Sequence, residues 1–152
     1  MSNPNPAAGS KQVALTGSID ERTNFQTLIG ETGKSLVLDL SAITRVNSSG
    51  IRSWKQYFDG LNKAGVDLLF TKASPPIVEQ IAIFKNFLCG GRLDSMFVPF
   101  LCTKCDKNSE VLFTVEQLKQ INFQIKEIKC KFCAGKAEFD DDPDLYFNFL
   151  KG

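Results

Sequence analysis

A chain of 152 residues holds one ordinary domain, or one of about 100 residues with a small appendage. Its 43% apolar and 23% charged residues read as globular; no apolar run approaches the roughly 18–20 residues of a spanning helix, and the opening Met-Ser-Asn-Pro-Asn-Pro lacks the marks of an export signal. Eighteen basic against 17 acidic side chains give no global field for nucleic acid or anionic lipid, and the lack of histidine excludes Ser-His-Asp triads, Cys-His pairs and mixed Cys/His zinc sites.

In chain order, residues 1–10 are Pro, Asn, Ala, Gly and Ser in the main and predict a disordered leader. Residues 13–16 predict a short strand ending at Gly17, and residues 23–29 a helix stopped by Gly30. The near-continuous apolar run 35–40 (SLVLDL) predicts a strand in the middle of a covered sheet. Ser48-Ser49-Gly50 opens a helix that ends at Gly65, with Ile51, Trp54, Phe58 and Leu61 at the spacing of a buried stripe. Residues 66–70 predict the next strand. Pro75-Pro76 leads a helix over 77–88 closed by Gly90-Gly91, and residues 95–101 predict a last strand. Strands alternating with helices imply an α/β domain over residues 11–100, with parallel pairings and right-handed crossovers.

The run Leu38-Asp39-Leu40-Ser41-Ala42-Ile43-Thr44-Arg45-Val46-Asn47-Ser48-Ser49-Gly50-Ile51 resembles the strand–turn–helix signature of STAS domains. Leu15-Thr16-Gly17-Ser18-Ile19-Asp20, Lys72-Ala73-Ser74-Pro75-Pro76-Ile77-Val78 and the stretch from Phe87 to Phe97 resemble further segments of that family, in the same order. The resemblance implies a small mixed sheet with helices and a non-enzymatic protein-binding role, like that of bacterial anti-sigma-factor antagonists or STAS adaptors of transport complexes. It implies as partner a serine kinase acting as anti-sigma factor, or an ATPase complex. It carries the antagonists' phosphorylated serine onto Ser48, although this chain has Asn47 where they have Asp. Asn47 and Ser48 also read simply as a helix cap, whose exposed N–H groups and dipole favour an added phosphate. With the apolar stripe inward, Arg52, Lys55 and Asp59 share the outward stripe that begins at Ser48. Together with Asn47 and Ser49 they form the expected partner-binding face; a plain solvated charged face is the alternative.

The five cysteines divide unevenly. Cys89 stands alone and reads as a packed core thiol, whereas Cys102, Cys105, Cys130 and Cys133 form two C-x-x-C pairs with 24 residues between them. Each C-x-x-C turn presents two thiolates and cannot close a tetrahedral shell alone, so two such knuckles predict a four-cysteine structural zinc ribbon over residues 101–152. Four thiolate ligands do not distinguish zinc from iron. Paired disulfides would need an oxidising compartment, and a thioredoxin-like pair would need to open a helix on a strand. The spacer holds strand-like runs at 111–115 and 121–125, which predict a hairpin or small sheet with a knuckle at each end.

From Leu101 to Lys136 seven lysines face four acids, and the two negative charges of a four-thiolate site nearly cancel that surplus. No arginine lies in this region to read guanine. The expectation is therefore a protein-binding or structural ribbon, with a nucleic-acid-associated ribbon protein as the alternative. In the tail, Asp142 and Pro143 predict a capped C-terminal helix rather than a cation site among Asp140, Asp141, Asp142 and Asp144, with its aromatic residues docked on one of the two domains. The whole reads as a cytoplasmic regulatory protein that does not insert into membranes; homo-oligomerisation stays open.

Overall fold

The computed structural model describes residues 10–151, so the expected leader lies almost wholly outside the described residues. In order come β1 (Ser10–Ile19), α1 (Phe25–Ile29), β2 (Ser35–Val46), α2 (Ser48–Lys63), β3 (Asp67–Thr71), α3 (Pro75–Ile83), β4 (Arg92–Leu93) and β5 (Ser95–Cys102). There follow β6 (Asn108–Thr114), α4 (Val115–Gln120), β7 (Ile128–Lys129), β8 (Lys136–Phe139), α5 (Pro143–Tyr146) and α6 (Asn148–Lys151). Two sheets result. One is wholly parallel, in the order β1-β2-β3-β4; the other is wholly antiparallel, in the order β6-β5-β8-β7. The α/β class expected from the sequence is thus present, its mixed pairing divided between two sheets.

The parallel sheet is built around β2. Leu36, Leu38 and Leu40 alternate on its buried face, with Leu38 opposite Phe70 of β3. Above them Trp54 and Phe58 of α2 are fully buried, as the helical spacing predicts, while Ile51 and Leu61 at the ends of the stripe are only half-buried. Trp54 stacks on Phe87 at 4.9 Å and 12°, and its indole N–H donates to the Phe87 carbonyl at 2.9 Å. That contact explains why α3 stops at Ile83 and not at Leu88. The chain leaves the helix, turns through positive φ at Asn86 and Cys89, and delivers both the ring and the carbonyl of Phe87 to the tryptophan.

Residues 95–101 form a strand as expected, but one that does not join the parallel sheet. β4 takes the place beside β3, and β5 pairs antiparallel with β6 from Ser95–Thr114 to Leu101–Asn108. A short turn suffices for an antiparallel partner, whereas a parallel one needs a long crossover. β5 therefore runs unbroken through the expected boundary near Phe100. It is tied to the first sheet by the Ala73–Met96 bridge, where Ala73 N–H donates to Ser95 O at 3.0 Å and Phe97 N–H to Ala73 O at 2.9 Å.

The run 121–125 is not a strand. Thr114 and Gln117 form a reciprocal capping box that starts α4 six residues earlier, and Asn122 and Phe123 then take positive φ, which no strand tolerates. Asp142 caps α5 as predicted, its side chain accepting from Asp144 N–H at 2.9 Å. Tyr146 and Phe147 are buried, α5 and α6 pack on α3, and the Tyr146 hydroxyl donates to Phe97 O at 2.6 Å. No helix among the described residues is long and apolar enough to cross a membrane.

Candidate functional site

The turn from β2 into α2 is fixed by two residues of different character. Asn47 is extended at the N-cap; its Oδ1 accepts from Gly50 N–H at 2.8 Å, and its Nδ2 donates to Glu21 Oε2 at 3.0 Å. Only an amide does both. Aspartate at 47 would still accept from Gly50 but would oppose Glu21 with like charge. The hydrogen bond from Asn47 in turn holds the Glu21 carboxyl below its ordinary range. Gly50 is set by space, since a Cβ there would lie 2.1 Å from the Ile19 carbonyl oxygen. Glycine alone lets the first turn of α2 lie against the end of β1.

Around this turn Asn47, Ser48 and Arg52 are exposed, and Ser49, Lys55 and Asp59 half-buried. Ser48, Arg52, Lys55 and Asp59 follow one another at steps of four, three and four, so they share a stripe away from Trp54 and Phe58. Asp59 is paired within the helix, with Lys63 Nζ at 3.1 Å.

The second cluster joins two hairpin ends. The first C-x-x-C turn links β5 to β6 and the second links β7 to β8; pairing of β5 with β8 sets the two turns side by side. The sulfurs of Cys102, Cys105, Cys130 and Cys133 all lie within 4.8 Å of one another, with Cys102–Cys133 at 3.5 Å and Cys105–Cys130 at 3.8 Å. A tetrahedral ion with metal–sulfur bonds of about 2.3 Å puts its ligands about 3.8 Å apart, so the donor set fits one ion. Backbone N–H groups point at the sulfurs: Lys104 and Cys105 to Cys102 at 3.3 and 3.4 Å, Phe132 to Cys130 at 3.4 Å, and Gly135 to Cys133 at 3.4 Å.

These donors shape the thiols' acidity. The Cys105 N–H, with that of Lys104 and the neighbouring sulfurs, brings the Cys102 thiol down to about 6 against the opposing effect of burial. The Phe132 N–H likewise lowers Cys130. At Cys105 the Lys107 N–H acts in the same direction, but burial and the three adjoining sulfurs outweigh it and push the thiol up to about 12. Four sulfurs this close cannot all ionise unless a cation shares the space. The cluster is compatible with a metal site whose four ligands leave no open position, as in structural sites.

The family model described as the STAS domain matches residues 14–88. This part of the chain is a STAS domain. The match runs from within β1 past α3 and includes the whole α2 turn, while the antiparallel sheet and its cysteines lie beyond it. No curated protein and no solved structure matches the chain. STAS domains are typically non-enzymatic regulatory modules that mediate protein–protein interactions.

Sequence reasoning missed two contributors. Glu21 stands 26 residues before its partner Asn47, a separation at which no local pattern links them. Phe132 counts as one more apolar residue in a phenylalanine-rich tail, yet it is 52% exposed at the tip of the second knuckle. Lone Cys89 is buried as expected, and burial raises its thiol above the ordinary range.

Proposed function

We propose that this protein is a cytoplasmic regulatory or adaptor protein whose STAS domain binds a protein partner through Asn47, Ser48, Ser49, Arg52, Lys55 and Asp59. The observation that carries the reading is the exposed Ser48 at the start of α2, on a turn braced by Asn47 and Gly50 inside the STAS match. The partner class is that of the anti-sigma-factor antagonists and transport adaptors: a serine kinase or an ATPase complex. Ser48 is the proposed phosphosite, since the N-terminal N–H groups of α2 stabilise a phosphate within the free protein while a packed partner meets a desolvated anion. The four cysteines hold one structural zinc ion, which supplies no chemistry beyond joining the two knuckles.

The test compares capture of partners from the native host, identified by mass spectrometry, by wild type, Ser48→Ala and Ser48→Asp. The expected result is a partner held by wild type and Ser48→Ala but weakened at least tenfold by Ser48→Asp, with circular dichroism showing all three folded. Equal affinity across the three moves the interface off this turn. Elemental analysis of protein purified without chelator is expected to give about one zinc per chain.

A further inference from the structure

The outer surface of the two knuckles has a character that net charge conceals. Phe132 stands exposed at the tip of the second knuckle, with Lys107 Nζ 4.9 Å and Lys131 Nζ 5.2 Å from its ring centroid. Lys104 lies against the same knuckle, close enough that a Cβ at Gly135 would come within 3.0 Å of its own Cβ. Residues 103–107 and 131–136 carry four lysines and one acid, Asp106. Lys136 is drawn to Glu127 at 3.5 Å; Lys104, Lys107 and Lys131 have no carboxylate partner among the described residues. The sulfurs meanwhile accept from backbone N–H groups of these same turns. These donors offset part of the sulfurs' charge, and the exposed Phe132 ring stands among ammonium groups.

We propose that this knuckle surface binds single-stranded nucleic acid, one base stacking on Phe132 and the flanking phosphates pairing with Lys104, Lys107 and Lys131. An exposed ring among lysines suits a polymer that alternates flat faces with anions, and an ammonium resting on the ring moves readily to a phosphate as a base takes its place. A duplex hides its base faces, and the knuckles offer no helix to enter a groove. Stacking on a ring face and pairing with phosphates do not distinguish one base from another, so binding is tolerant of sequence. An acidic peptide would satisfy the lysines and leave the ring with no planar partner. This activity is separate from the partner face on α2.

The test is fluorescence anisotropy of the full metal-bound chain with labelled oligothymidine and oligouridine of ~12 nucleotides, against a duplex of equal length and against polyglutamate. The single strands are expected to bind more tightly than either competitor, with a log–log salt slope of about −2 for three phosphate contacts. Phe132→Ala is expected to weaken binding about tenfold at unchanged metal content, and Phe132→Tyr to retain it. The double variant Lys107→Gln/Lys131→Gln should flatten the slope and gives the readout should Phe132→Ala lose metal. Absence of binding at low salt, equal affinity for polyglutamate, or indifference to both variants overturns the proposal; equal polyglutamate binding assigns the surface to an acidic protein segment.

Discussion

In the parallel sheet, Leu36, Leu38 and Leu40 sit beneath Trp54, Phe58, Phe70 and Phe87, four rings whose neighbouring centroids lie about 5 Å apart. At the knuckle end of the antiparallel sheet there is little of this kind. β7 has two residues and β8 four, and the side chains that meet between the two turns are four sulfurs. A strand pair this short is marginal in water by itself. The first region is held by buried apolar surface; the knuckles gather four thiols that repel one another once ionised, so their cohesion rests on the proposed ion. Stability that comes from hydrocarbon changes gradually with conditions; stability that comes from ligation is gained or lost whole.

The comparison is broken most directly by removing the proposed ion. A chelator, or Cys130→Ser, should unfold the knuckles with β7 and β8 outright while β2 and β3 keep their amide protection, as followed by hydrogen exchange. Equal loss in both regions would mean that the parallel sheet also depends on the cysteines. Acidification should act in the same direction. Protons compete for the ligands, so metal affinity should fall as pH drops, steeply below about 6 where Cys102 also protonates, and a chromogenic chelator reads the release.

Gly50→Ala tests the apolar region in isolation. The new Cβ would meet the Ile19 carbonyl 2.1 Å away, and neither backbone can yield without moving α2, so a loss of about 3 kcal/mol in denaturant unfolding is expected with metal content unchanged. Tyr146→Phe sharpens the comparison at the joint between the regions. It removes the donor to Phe97 O and should cost about 1–2 kcal/mol near neutral pH. Burial, with lesser help from Asp141, Glu110 and Glu79, holds this phenol well above its ordinary range. The wild type is therefore fully stabilised below the unfolded value of about 10 and loses stability as pH rises beyond it; the variant should lack that slope. Asn47→Ala should have the smallest effect, about 1 kcal/mol for a lost cap, and thermal melts of Asn47→Asp should show the cap kept despite the opposing Glu21.

The parts legible in the sequence are those carried by short spacings. The Asp-Leu-Ser run through Asn-Ser-Ser-Gly located β2, its turn and α2, and two C-x-x-C pairs located the sulfur cluster. What stayed hidden depends on partners distant in the chain. The run 95–101 announces a strand but not which sheet takes it, and that choice rests on β6 arriving after one knuckle. The run 121–125 has strand composition, yet Thr114 and Gln117 decide upstream that a helix precedes it. The stop signal at Gly90-Gly91 extends α3 to Leu88, and only the position of Trp54 explains why the chain breaks off first.

The docking of α5 and α6 on α3 also bears on the order in which the chain is made. The STAS match ends at residue 88, but Tyr146 and Phe147, which cover α3, are made about sixty residues later. During synthesis α3 waits uncovered while some sixty residues beyond the match are added, and its face closes only when Tyr146 and Phe147 have emerged. A nascent chain of this protein therefore offers a chaperone an apolar face that the finished molecule has buried.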